Sequence, residues 1–144
     1  MEDWLSKALD AFPELQGFLF EGHDQDNPTS LWIDLFSLLQ SAYDKVPSND
    51  DLIRRIYDYG AWCLEQPQTD DRETDICEAT AFGLIEDIPL DRKVSEDLYR
   101  WMSVESFLGF ETLFRYHLDT EDAYRKFRDE FLAKKKSYSG SSRI

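Results

Sequence analysis

The chain has 144 residues and a mass of 17.0 kDa, the size of one domain. Hydrophobic residues make up 42% of it and aromatics 15%, which excludes a wholly disordered chain. No apolar run approaches the ~20 residues of a membrane helix. Thirty acidic residues against 16 basic ones give a net charge of −14, which repels phosphate backbones and excludes nucleic acid and an anionic membrane as natural partners.

Read in chain order, the pattern is helix after helix. Trp4, Leu5, Ala8, Leu9 and Phe12 form an apolar stripe over residues 2–11, and Pro13 breaks it or begins another turn. Residues 14–20 read either as a short helix or as an extended piece, and residues 21–28 as a loop. A helix over 30–45, with Thr29 or Ser30 as its cap, places Leu31, Leu35, Leu38, Leu39 and Ala42 on one side; Trp32, Phe36 and Tyr43 widen that side. Asn49 caps the next helix, which reaches Glu65 and buries Leu52, Ile56, Tyr59 and Cys63.

Pro67 opens the acidic loop 68–73, and a helix over 74–87 follows with Ile76, Cys77, Thr80, Ala81 and Leu84 inward. Ser95 is expected to cap a long helix to Leu118, with a break near Ser103 or Gly109 and a hydrophobic staple between Val94 and Tyr99. Asp119 or Thr120 caps the last helix, to Lys136, with Tyr124, Phe127 and Phe131 inward and acid-before-base pairs outside. The expected architecture is all-α: a single compact domain, residues 1–136, of six or seven antiparallel-packed helices. Residues 137–144 read as a flexible, basic, Ser-rich tail.

Chemistry-bearing motifs are scarce. His23 and His117 are the only histidines and lie far apart, so any zinc site must be assembled from distant parts, and no metal site is expected. His117, at a helix end, is expected to complement the helix dipole or make a local hydrogen bond. The acidic loops starting at Asp24 and Asp70 lack the glycine and the twelfth-position glutamate of a calcium loop. No nucleophile elbow or phosphate-cradling glycine loop occurs, so no catalytic residue and no cofactor are assigned. Cys63 and Cys77 read as reduced, buried core residues. The acidic start Met1-Glu2-Asp3-Trp4 lacks the pattern of a secretory signal, and a cytoplasmic location is expected.

Charge is unevenly spread along the chain. Residues 1–51 carry 11 acids and two bases, and residues 65–91 carry nine acids and one base. Opposite fields speed encounter and discourage wrong partners, so a basic protein is the expected partner. The candidate partner-binding residues are Asp70, Asp71, Glu73, Asp75, Glu78 and Phe82. Asp75, Glu78, Phe82 and Glu86 recur at helical spacing and would set Phe82 among carboxylates, away from the inward stripe.

The segments Arg55-Ile56-Tyr57-Asp58-Tyr59-Gly60-Ala61-Trp62-Cys63-Leu64 and Leu113-Phe114-Arg115-Tyr116-His117-Leu118, with Leu31-Trp32-Ile33-Asp34-Leu35-Phe36, resemble those of small all-helical bacterial proteins of uncharacterised function. The similarity spans roughly residues 30–132 and implies a bacterial, single-domain, helical protein. In acid load and size the chain is also similar in type to bacterial immunity proteins, which neutralise basic toxins. The functional expectation is a non-enzymatic, acidic protein-binding domain such as an immunity protein. The alternatives are an enzyme with a pocket of dispersed residues and a helical scaffold or oligomerisation module.

Overall fold

Side-chain caps mark where most of the described helices begin. The computed structural model describes residues 3–15, 27–71 and 75–144. Among these residues the helices, in chain order, are α1 (Trp4–Ala11), α2 (Pro28–Asp44), α3 (Asp50–Leu64), α4 (Ile76–Thr80), α5 (Arg92–Asp97), α6 (Val104–Gly109), α7 (Glu111–Tyr116) and α8 (Glu121–Lys136). A π-helical turn (Ala81–Ile85) continues α4, and short 3₁₀ turns cover Pro13–Leu15, Ile88–Leu90 and Leu98–Arg100. No strand occurs among the described residues, so the fold is a single all-α domain.

Two caps stand where the sequence puts them. Asn49 accepts from Leu52 N at 3.2 Å, and Thr120 from Ala123 N at 3.0 Å. Two others move. Asn27, not Thr29 or Ser30, caps α2, accepting from Thr29 N at 2.8 Å and Ser30 N at 3.4 Å. Pro28 then takes the first helical position, where its missing N–H costs nothing and its fixed φ already suits the helix. Asp91, not Ser95, caps α5, accepting from Val94 N at 3.0 Å. Ser95 lies inside that helix, and Val94 is buried within its first turn, so Val94 and Tyr99 do not flank a helix start. The helical stretch to Leu118 is broken at both places the sequence offers: α5 passes into a 3₁₀ turn, Ser103 caps α6, and α6 ends at Gly109, with Phe110 separating it from α7.

Helices α2 and α3 form the centre. From α2, Leu31, Trp32, Leu35, Leu38, Leu39 and Ala42 are buried; from α3, Leu52, Ile53, Ile56, Tyr57, Tyr59 and Cys63. They pack on one another, and α4 lies against both. The π turn continues across α2 and meets α7, while α1 rests on α3 and α5 on α2. A second cluster joins α6, α7 and α8: Phe107 stacks on Phe131 with ring centroids 4.1 Å apart and also meets Phe114 and Phe127.

Two glycines allow the close approach at the centre. A Cβ on Gly83 would fall 2.5 Å from Trp32 Cβ, and one on Gly60 2.9 Å from Leu84 Cδ2. Neither distance is tolerated between carbon atoms, so Gly83 lets the π turn sit directly on α2.

Polar networks tie the periphery to this centre. The Asp97 carboxylate accepts from Tyr43 Oη at 2.6 Å, Trp101 Nε1 at 3.0 Å and Arg100 Nε at 2.8 Å. Arg100 also reaches Asp50 at the start of α3 and holds that carboxyl below its ordinary range. Arg55 of α3 pairs with Glu14 at 2.7 Å and donates to the Ala11 carbonyl at 2.9 Å, where α1 ends.

Residues 137–144, expected as a flexible tail, fold back on the body. Arg143 N and Ile144 N donate to the Trp101 carbonyl at 2.7 and 3.0 Å, and Ser103 N donates to the Ile144 carbonyl at 2.8 Å. Lys135 Nζ reaches Ser142 Oγ at 2.7 Å, and the Ile144 side chain packs near Gly60. The helix break at residues 101–103 leaves backbone groups needing partners, and this segment supplies them. The Ser-Gly-Ser-Ser composition hides the anchoring residues that follow it.

Replacing Gly83 by Ala should destabilise the protein by about 1–3 kcal/mol, because the new methyl group must displace Trp32 or the π turn. Urea denaturation of parent and variant measures this. A second expectation concerns pH. The Arg55 guanidinium holds the Glu14 carboxyl below its ordinary range, so the resulting stability is present above the unfolded-state value of about 4.3 and is lost as pH falls through the folded-state value. Glu14→Gln should therefore lower stability at pH 7 by less than about 1 kcal/mol, the pair being partly exposed. The difference from the parent should vanish in acid, as a pH series of melting curves would reveal.

Candidate functional site

The π turn decides which side chains face outward after α4. Glu86 N donates to the Ala81 carbonyl at 3.0 Å, closing a ring one residue wider than an α turn. The extra residue rotates everything beyond it. Glu86 therefore leaves the stripe of Asp75, Glu78 and Phe82, and Asp87 takes its place beside Phe82.

Between α2 and the α4–π segment lies a groove of about 490 Å³. Ile33, Phe36 and Ser37 line it from α2, and Glu78, Phe82 and Asp87 from the other side. Ile33 is 59% exposed and Phe82 50%. Two large apolar side chains thus stay in water within one concave surface, while carboxylates stand at its edge. Burial pushes the Asp87 carboxyl above its ordinary range, against the opposing pull of His117.

The residues singled out from the sequence divide in the structure. Phe82 and Glu78 both line the groove. Asp70 and Asp71 are exposed on the loop before α4. Glu73 lies outside the described residues. Asp75 is corrected: it is only 3% exposed, and its carboxylate caps α4, accepting from Glu78 N at 3.0 Å and Thr69 N at 3.2 Å. A short acidic residue just before a helix is a good cap, and that role draws it inward. Ile33, Phe36 and Asp87 were missed. Ile33 lies beside the buried Trp32, and only its exposure separates it from the core residues around it.

At one end of the groove, sequence-distant groups meet. His117 follows α7 as its C-terminal cap, as the sequence suggests, but its ring also faces the end of the π turn. Its Nε2 lies 3.1 Å from Glu86 Oε1 and 3.4 Å from Asp87 Oδ1. The side chains of Glu86, His117 and Asp87 are 12%, 29% and 41% exposed.

Most other acids are already engaged. Asp51 and Asp58 pair with Arg54, Asp44 with Lys93, and Glu111 and Glu121 with Arg115. Asp91 accepts from Gln40 as well as capping α5. Of the described acids in the block over residues 1–51, Glu14, Asp44, Asp50 and Asp51 are thus paired with arginine or lysine. Cys63 is fully buried and its thiol is pushed up to about 12 by burial, so it does not act as a thiolate nucleophile. Cys77 is also a free thiol, raised by burial and by the neighbouring Asp75 and Glu78 carboxylates.

The groove separates folding from surface chemistry within two residues. Leu84→Ala should cost about 2–5 kcal/mol, since Leu84 is fully buried, whereas Phe82→Ala should stay within about 1 kcal/mol of the parent. Denaturant midpoints of the two variants test this split. In comparisons with known proteins, no family model matches the chain, and neither a curated protein nor a solved structure matches it.

Proposed function

We propose that this domain is a non-enzymatic binding module for a basic protein and that the groove between α2 and the α4–π segment is its seat. The observation that carries the reading is the exposure of Phe82 and Ile33 in one concavity edged by Glu78 and Asp87. Aromatic anchors in such settings supply affinity, and surrounding charges supply encounter rate and register. The complementary occupant is a segment that places an apolar side chain between Ile33 and Phe82 and a lysine or arginine beside the carboxylates. An immunity role, with a basic toxin as that partner, is the specific form of this reading. Its motivation is the net charge of −14 together with the small helical fold. Asp70 and Asp71 belong to the proposal as outlying charges that steer approach.

The product of the adjacent gene is the partner to test, with Kd and on-rate measured at low and high salt. Phe82→Ala and Ile33→Ala should each weaken binding by at least ~10-fold, mainly through faster dissociation. Asp70→Lys with Asp71→Lys should slow association and leave dissociation nearly unchanged. Affinity unaltered in Phe82→Ala, or insensitive to salt, would reject this seat. Concentration-dependent dimerisation that Phe82→Ala abolishes would assign the groove to a second copy instead.

A further inference from the structure

We propose that Glu86, Asp87 and His117 together bind a divalent transition cation, with Zn²⁺ the best fit. The three residues offer one imidazole nitrogen and two carboxylate oxygens that all lie within 4.8 Å of one another. Metal–ligand bonds of about 2.1 Å place neighbouring ligand atoms about 3.0 Å apart around an octahedral ion and about 3.4 Å apart around a tetrahedral one. The observed separations from Nε2, 3.1 and 3.4 Å, already span that range. Two of the three ligand–ligand separations therefore already suit one ion, and the third, between the two carboxylate oxygens, lies within 4.8 Å.

Charge balance points the same way. Among the described residues, Asp58, Glu111, Glu121 and Asp122 each stand beside an arginine, but no lysine or arginine pairs with Glu86 or Asp87. Their shared counter-group is the single imidazole of His117. An Nε2–H proton can lie in line with one of the two oxygens and not with both, and a protonated imidazole supplies one positive charge against two carboxylates. A dication bound through the Nε2 lone pair satisfies all three atoms and balances both carboxylates. Burial strengthens the demand, because the Glu86 side chain is only 12% exposed and a desolvated carboxylate needs a compensating charge.

The donor set also selects the metal. One imidazole with two carboxylates suits Zn²⁺, whereas Mg²⁺ and Ca²⁺ prefer all-oxygen sites. Three protein ligands leave at least one position for water or an incoming donor. The fold holds the set from two directions: Glu86 and Asp87 directly follow the π turn, and His117 ends α7, which packs on that turn. The inference rests on the cluster and not on the groove reading, with which it shares only Asp87.

Isothermal titration of the untagged full chain with ZnCl₂ at pH 7, with MgCl₂ as comparison, tests it. One Zn²⁺ should bind per chain, raise Tm, and resist excess Mg²⁺. His117→Gln should lower Zn²⁺ affinity by more than ~100-fold, beyond the ~10–100-fold typical of losing a group that merely orients a ligand. Glu86→Gln should lower it by at least ~10-fold. Co²⁺ loaded in place of Zn²⁺ should show a weak visible spectrum without a thiolate charge-transfer band. Absent Zn²⁺ binding, parent-like affinity in both variants, or a thiolate band placing the metal on Cys77 would each overturn the proposal. If His117→Gln does not fold, Glu86→Gln and the Co²⁺ spectrum of the parent decide it.

Discussion

The contact between Gly83 and Trp32 is the constraint on which the outer surface depends. Trp32 is fully buried in the second turn of α2, and the π turn lies directly against it because Gly83 has no side chain. Once that backbone is seated, the directions of its neighbours follow. Leu84 and Ile85 enter the core, Phe82 turns outward, and Glu86 and Asp87 leave the turn toward α7. A regular α-helix through the same residues would carry Glu86 onto the stripe of Phe82 and separate it from His117. One inserted residue thus creates both the apolar groove and the Glu86–Asp87–His117 cluster. π turns inside helices recur at functional sites for this kind of reason: they re-aim side chains without ending the helix.

Net charge alone does not mark a binding face on this molecule. Much of the −14 resides in carboxylates that do structural work. Asp75 and Asp91 cap helices, Asp97 gathers Tyr43, Arg100 and Trp101, and Glu14 clamps α1 to α3 through Arg55. Exposed pairs such as Arg92 with Glu96 contribute little to stability, but they still neutralise the surface locally. What distinguishes the groove end is the local ratio of charges, two carboxylates to one imidazole, together with the near-burial of Glu86. Electrostatic arguments for this chain therefore have to be made site by site.

Sequence patterning revealed the fold class because helix periodicity and caps are local signals. Asn49 and Thr120 each stand immediately before a helical run, and both cap it. The errors arose where two plausible caps stand a few residues apart. Asn27-Pro28-Thr29-Ser30 offers three capping side chains, and the proline decides in favour of Asn27 by occupying the first turn. Asp91 and Ser95 pose the same choice one turn apart. The break near Ser103 is legible locally, but the contacts that satisfy its backbone come from Arg143 and Ile144, some 40 residues away, which no local pattern reports. That Phe82 and Glu78 share one face was legible because they precede the close of the π turn and obey ordinary helical spacing. Asp87 and the pairing of Glu86 with His117 could not, because nothing in Ala81-Phe82-Gly83-Leu84-Ile85 announces a wider turn. The only clue was Gly83 itself, which marks close approach without saying to what.

The exposed apolar side chains of the groove are what the proposed binding role rests on. Catalysis by a side-chain nucleophile needs an activated group within reach of a base. Cys63 is sealed in the core with its thiol pushed up to about 12, and the groove's own hydroxyls include that of Ser37, which donates to the Ile33 carbonyl at 3.1 Å inside its helix. The side chains with unsatisfied apolar area are instead Ile33 and Phe82. Covering apolar surface yields about 25 cal/mol per Å², so enclosing the exposed half of a phenylalanine is worth on the order of 1–2 kcal/mol before any polar contact is counted. That gain requires an occupant with shape and apolar character, and the carboxylates at the rim favour one that is also cationic. A cation held at Glu86, Asp87 and His117 would reduce the negative field at that end while leaving Glu78 at the other. Metal occupancy would then weaken the field that the proposed basic partner would meet, which joins the two proposals through Asp87 without making either depend on the other.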